Sequence, residues 1–198
     1  MRDIVELNDE EYESFMKLPS ELPILGEGAE GTCVLGVDGY AYKIYDGITD
    51  YEYDIDNIVM SSDYNLKSFA FPNRLYVHDG ELCAYRMKLI YPNLFDVENS
   101  NLIKKRDLLK AIDRYVKDLE IISRDGILTY ELPYNLMFDG KYLVGVDTPS
   151  YKKTDHDTFK ENLETLEYAL DSEYYLLKEK GSKLEYPLDD NKLQYIKK

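Results

Sequence analysis

The chain has 198 residues, 44% of them hydrophobic, enough for one sizeable domain or two small lobes around a core. Its 39 acidic and 24 basic residues give a formal charge of −15, which repels phosphate backbones and anionic bilayers and argues against nucleic acid or a membrane as partner. Two cysteines, Cys33 and Cys83, and two histidines, His78 and His156, are too few for a disulfide framework, a histidine-based metal site or a Ser-His-Asp triad. The thiols read as reduced core residues of a cytoplasmic protein.

The start, MRDIVELNDEEYESF, has no apolar stretch of signal-peptide length, and no apolar run reaches the ~18 residues of a membrane span. Residues 22–90 read as short strands and turns. Thr32 to Val37 is strand-like, Val37-Asp38-Gly39-Tyr40 is a turn, and Ala41 to Tyr45 returns as a second strand. Thr49-Asp50-Tyr51-Glu52 fits a capping box opening a short helix, with Ile55, Ile58 and Val59 on one face. Arg74 to Val77 and Glu81 to Lys88 flank the hairpin signal His78-Asp79-Gly80.

Residues 101–124 and 155–180 read as helices. Leu108, Leu109, Ile112, Tyr115, Val116, Leu119 and Ile122 form one helical stripe. Phe159, Leu163, Leu166, Leu170, Tyr174 and Leu177 form another. Lys104, Lys105 and Arg106 make the longest basic run and read as solvated helix surface. Tyr134 to Asp139, Gly140, and Tyr142 to Asp147 read as a hairpin turning at Asp-Gly. Strands first and helices later predict an α+β protein in two segregated parts.

The segment richest in chemistry is Gly26-Glu27-Gly28-Ala29-Glu30-Gly31-Thr32-Cys33-Val34. Three glycines at this spacing let backbone amides approach a triphosphate with no side chain in the way. A strand, a turn and Ala41-Tyr42-Lys43 follow, so Lys43 stands twelve residues after Gly31 on the next antiparallel strand. A dinucleotide-binding glycine loop would open a helix instead. Further on, Asn135 and Asp147 stand twelve residues apart at the two ends of a predicted hairpin. Their carbonyl and carboxylate are hard oxygen donors of the kind magnesium prefers, with nucleotide phosphates completing its shell. An ordinary glycine hairpin and ordinary turn residues are the plainer alternative.

In the order and spacing of these pieces the chain resembles the eukaryotic-type protein-kinase superfamily, above all its short bacterial members. GEGAEGTC resembles the glycine-rich loop, with Cys33 where valine is usual, and Ala41-Tyr42-Lys43 resembles the Ala-x-Lys of the third strand. The resemblance implies a two-lobed fold holding ATP and Mg2+, with an antiparallel β-sheet N-lobe over residues 1–90 and a short, mainly helical C-lobe over 91–198. Met87 in ELCAYRMKLI would be the gatekeeper, with residues 88–90 along the adenine. The helix at 104–123 would precede the catalytic loop. Pro133-Tyr134-Asn135-Leu136-Met137 would end that loop, and Val146-Asp147-Thr148-Pro149 would carry the metal-binding aspartate, with Thr-Pro replacing Phe-Gly. Lys43 would reach the α and β phosphates and pair with Glu52, or with Asp56 one turn later. The glycine flap and Lys43 would then face Asn135 and Asp147 across a shared cleft.

The pattern breaks at the catalytic base. Tyr130 stands where the family has its aspartate, preceded by Leu128-Thr129 instead of His-Arg, and a phenol is a poor base near neutral pH. Glu131 is the substitute if the loop is one residue shorter. Any activation loop is confined to residues 148–158, with no room for a peptide platform. Three functions follow: a pseudokinase-like nucleotide-binding protein, an active atypical phosphotransferase acting on a small molecule or on itself, or a non-catalytic interaction domain that kept only the fold and meets a protein partner.

Overall fold

Three Asp-Gly turns join paired strands in this computed structural model, which describes residues 3–46, 54–96, 98–130 and 135–184. At one of them Asp79 and Gly80 both take positive φ, 51° and 82°, the primed hairpin turn whose twist suits antiparallel strands. The chain is a mixed α+β protein with a six-stranded sheet and four α-helices among the described residues. It divides into two compact units. One is Met1–Asn65 with Phe71–Leu89, and the other is Leu66–Ala70 with Ile90–Lys198.

The first unit contains β1 (Ile4–Glu6), α1 (Asp9–Met16), α2 (Leu18–Glu21), β2 (Ile24–Gly28), β3 (Gly31–Leu35), β4 (Ala41–Tyr45), β5 (Arg74–His78) and β6 (Glu81–Met87). The strand order is β1-β5-β6-β4-β3-β2, antiparallel throughout except for the parallel pair β1–β5. Period-two alternation sorts the side chains. One face carries Val34, Ile44, Tyr76 and Ala84, which pack with Leu7 and with Phe15 and Met16 of α1. Phe15 lies 4.5 Å from Tyr76 and 6.1 Å from Tyr42, ring centre to ring centre.

The N-terminal elements β1 and α1 were not expected from the sequence, although the signal is present. Asn8 and Glu11 form a reciprocal capping box, the Asn8 side chain accepting the Glu11 amide at 3.0 Å and the Glu11 carboxylate accepting the Asn8 amide at 2.9 Å.

The helix expected from Thr49 is not seen where the structure describes this segment. Thr49 and Glu52 lie outside the described residues. Beyond them a single 3-10 turn, Ile55–Asn57, is followed by extended, buried Ile58, Val59 and Met60. The Asp54 carboxylate accepts the Asp56 amide at 3.2 Å, an Asx turn that closes the backbone locally instead of starting an α-helix.

The second unit contains α3 (Lys105–Arg124), β7 (Ile127–Leu128), β8 (Leu136–Phe138), β9 (Leu143–Gly145), β10 (Lys152–Lys153) and α4 (Phe159–Glu179). Both long helices fall where the periodicity placed them, with one exchange on α3. Leu109 is 39% exposed and Ala111 takes the buried place beside Leu108 and Ile112. Each fully buried Leu or Ile of this stripe contributes ~1.5–3 kcal/mol. Phe69, from the short segment that joins this unit, packs 5.1 Å from the Tyr115 ring of α3. Its neighbours bind β9, the Ala70 amide to the Gly145 carbonyl and the Gly145 amide to the Ser68 carbonyl, both at 2.9 Å. No described helix is long and apolar enough to cross a membrane.

Candidate functional site

The glycines and Lys43 share a sheet face. Register places Gly26 opposite Cys33, Cys33 opposite Lys43, and Lys43 opposite Tyr85. The next row is Leu35, Ala41 and Met87, and the row on the other side is Gly28, Gly31 and Tyr45. This is the face opposite the α1 cluster. Met87 ends β6 and is buried.

The three glycines have different physical reasons. A Cβ on Gly31 would lie 2.0 Å from the Ile44 carbonyl oxygen and 2.8 Å from Tyr45 Cα, so Gly31 is required by the close approach of β4. A Cβ on Gly26 would meet nothing within 4 Å, and one on Gly28 only the Gly31 carbonyl at 3.8 Å. Packing therefore explains Gly31 and leaves Gly26 and Gly28 without a structural requirement.

Lys43 is only 9% exposed, and its Nζ lies 3.1 Å from Glu30 Oε2 and 5.2 Å from the centre of the Tyr45 ring. A buried ammonium needs a counter-charge, because desolvation costs several kcal/mol. Glu30 belongs to the turn between Gly28 and Gly31, so the glycine hairpin itself supplies a counter-charge. Asp56, the alternative to Glu52 as partner of Lys43, sits exposed on the 3-10 turn. Glu52 lies outside the described residues.

In the second unit, β8 and β9 bring Asn135 and Asp147 to the same open end of one hairpin. The Val146 amide donates to the Asn135 carbonyl at 2.8 Å, immediately beyond the Leu136–Gly145 pair. Asp147 has φ 61° and ψ 36°, in the left-handed region. Such a conformation costs a non-glycine residue ~1–2 kcal/mol, and strain of this kind gathers where side-chain placement matters. Among the described residues no group of three or more His, Cys, Asp or Glu could hold a metal alone. Asn135 and Asp147 therefore fit magnesium only in its usual protein setting, one or two oxygen ligands with substrate phosphates supplying the rest.

Tyr130 is 39% exposed, with the Lys152 ammonium 5.4 Å above its ring. Glu131, the substitute base, lies outside the described residues, as do Pro133 and Tyr134. The strand just before Tyr130 is held by a residue that motif reasoning missed. The Asn162 side chain, wholly buried on α4, accepts from the Thr129 amide at 2.7 Å and the Thr129 hydroxyl at 3.1 Å. Its amide donates to Ser123 Oγ and the Ile127 carbonyl at 2.8 Å each, and to Thr158 Oγ1 at 3.0 Å. The available signal was an asparagine at helical spacing from Leu166 and Ala169, a polar group on an apolar stripe.

Two other features lie outside this constellation. The exposed side of α3 carries Arg106, Lys110, Arg114 and Lys117, with Lys117 bound to Asp113 at 2.7 Å. Helical periodicity assembles this stripe from residues that form no run in sequence, and Asp107 and Asp113 pair with two of its four cations. Near the end of α4 a small cavity of about 110 Å3 is lined by Asn93, Phe95, Leu136, Glu173 and Lys180. Burial pushes the Glu173 carboxyl up to about 8, with Lys180 opposing. Neither cysteine forms a disulfide. Cys83 is buried, its Sγ 3.1 Å from the Tyr76 carbonyl, and burial pushes its thiol up to about 11, whereas Cys33 is half-buried, outside the core expected for it. No protein-family model matches the chain, and no curated protein matches it in sequence.

Proposed function

We propose that the chain is a protein-kinase-like nucleotide-binding protein of two lobes, pseudokinase-like because its catalytic loop lacks the aspartate base. The observation that carries the reading is the nearly buried Lys43 ammonium, on the same sheet face as the glycine hairpin and held 3.1 Å from a carboxylate. Such a place accepts an anion, and the open surroundings of Gly26 and Gly28 leave the hairpin backbone accessible to one. In this reading the hairpin amides and Lys43 hold the phosphates of ATP, and Ala41, Cys33 and Met87 lie along the base. Asn135 and Asp147 hold Mg2+, which would neutralise phosphate charge. Two thiols outside any disulfide are consistent with a reducing, cytoplasmic setting.

The test is a thermal-shift titration with ATP and magnesium. Ligand bound only by the folded state raises the melting temperature, and about 100-fold excess over Kd adds ~2.7 kcal/mol. Lys43→Ala should remove most of that gain. A wild-type protein whose melting point ignores ATP would end the proposal.

A second reading, an active phosphotransferase of unusual type, is favoured by the strained backbone at Asp147. Phosphoryl transfer rests mainly on positioning and charge neutralisation, so a missing base need not abolish it. Release or transfer of labelled γ-phosphate, lost in Asp147→Ala, would support it.

A further inference from the structure

The carboxylate beside Lys43 comes from the very turn that the proposed function assigns to phosphate binding. Glu30 stands between Gly28 and Gly31, with its side chain 25% exposed and Lys43's 11% exposed. Its Oε2 sits 3.1 Å from Lys43 Nζ, within hydrogen-bond distance. A phosphate oxygen bound by this lysine would need the same donor. The Glu30 backbone is meanwhile tied to the next segment, its carbonyl accepting the Asp46 amide at 3.1 Å. That backbone bond does not depend on the contact between the Glu30 side chain and Lys43.

Resting on the nucleotide-binding reading, we propose that Glu30 is a built-in competitor for the phosphate position at Lys43, setting the affinity and anion selectivity of the site. In the ligand-free protein the carboxylate supplies counter-charge to a nearly buried ammonium. A phosphate group must displace it and must carry enough charge to overcome the repulsion of a carboxylate that stays nearby. Polyphosphates thereby bind in preference to monoanions, and part of their binding energy is spent on the exchange.

The experiment is calorimetric titration of the full chain, wild type against Glu30→Gln, which keeps the shape and removes the charge. The probes are magnesium-ATP, inorganic tripolyphosphate and adenosine. Glu30→Gln should bind magnesium-ATP and tripolyphosphate about threefold to tenfold more tightly, as expected for one partly screened charge pair. Adenosine affinity should stay unchanged, and the gain should vanish when Lys43→Met is added. Glu30→Asp, which keeps the charge and shortens the reach, should fall between the two and guards against misfolding of the first variant. Equal or weaker binding by Glu30→Gln, with wild type still binding ATP through Lys43, overturns the competitor and leaves the nucleotide reading standing. A Lys43-dependent gain for tripolyphosphate with no binding of ATP or adenosine supports the competitor and overturns the nucleotide. Failure of every variant to bind any probe overturns both.

Discussion

Asn162→Ala should loosen the segment that carries Tyr130 by a calculable amount. The wild-type side chain receives two hydrogen bonds from Thr129 and gives three, to Ser123, Ile127 and Thr158. After truncation the Ile127 carbonyl still accepts from the Thr158 hydroxyl at 2.6 Å. The Thr129 amide has no second partner among the described residues, and Thr129 is 1% exposed. One orphaned buried amide costs about 1–3 kcal/mol, and the void left by the carboxamide about 1 more. The expected loss is therefore about 2–4 kcal/mol, measured as a lower urea midpoint by circular dichroism. Hydrogen exchange gives the local readout: the Thr129 amide should lose about 2 kcal/mol or more of protection. Asn162→Asp keeps the acceptor for Thr129 but loses both donors and buries a charge. It should be no better than alanine at neutral pH and should recover on acidification, as the carboxyl protonates and regains a donor. A midpoint change below about 0.5 kcal/mol with unchanged Thr129 protection would refute the account of this residue as the anchor.

The remaining predictions concern single sites. Gly31→Ala should destabilise the protein by about 2–4 kcal/mol, because its Cβ would enter the backbone of β4, whereas Gly26→Ala should unfold like wild type and only weaken nucleotide binding. Equal unfolding midpoints for the two would show that the glycines do not divide this way. Asp147→Gly should gain about 1 kcal/mol by relieving the left-handed backbone while abolishing the magnesium-dependent part of ATP binding. An unchanged magnesium dependence would remove Asp147 from the metal site. Glu173 binds its proton more tightly folded than unfolded, since its carboxyl is raised from about 4.5 to about 8. The folded state thus holds more protons between those values, and stability falls as pH rises through that window, at up to about 1.4 kcal/mol per unit, then levels off above pH 8. Glu173→Gln should flatten this slope in pH-dependent unfolding, and a slope that survives the substitution would place its origin elsewhere.

Much of the architecture was legible because its signals are local. Apolar residues at helical spacing placed α3 and α4, and Asp38-Gly39, Asp79-Gly80 and Asp139-Gly140 placed three hairpins, since that dipeptide favours the backbone such turns require. The errors arose where local signals compete or tertiary contacts decide. A capping-box pattern at Thr49 suggested a helix, yet the Asx turn at Asp54 and the burial of Ile58 to Met60 give the described part an extended course. Leu109 fits the apolar stripe but is 39% exposed, whereas Ala111, two residues on, is fully buried.

The candidate site divides in the same manner. Residue order alone placed Lys43 on the strand beside the glycines and put Asn135 and Asp147 at one hairpin end, because strand pairing and turn chemistry follow from neighbours in sequence. The choice of Glu30 as the partner of Lys43 depends on the register of β2, β3 and β4 and on a side chain curling back over its own hairpin. The five-bond role of Asn162 depends on where α4 meets the end of α3 and the segment after it. Local chemistry writes the elements into the chain; which charges meet and which amides are satisfied is decided only when distant segments exclude water from one another.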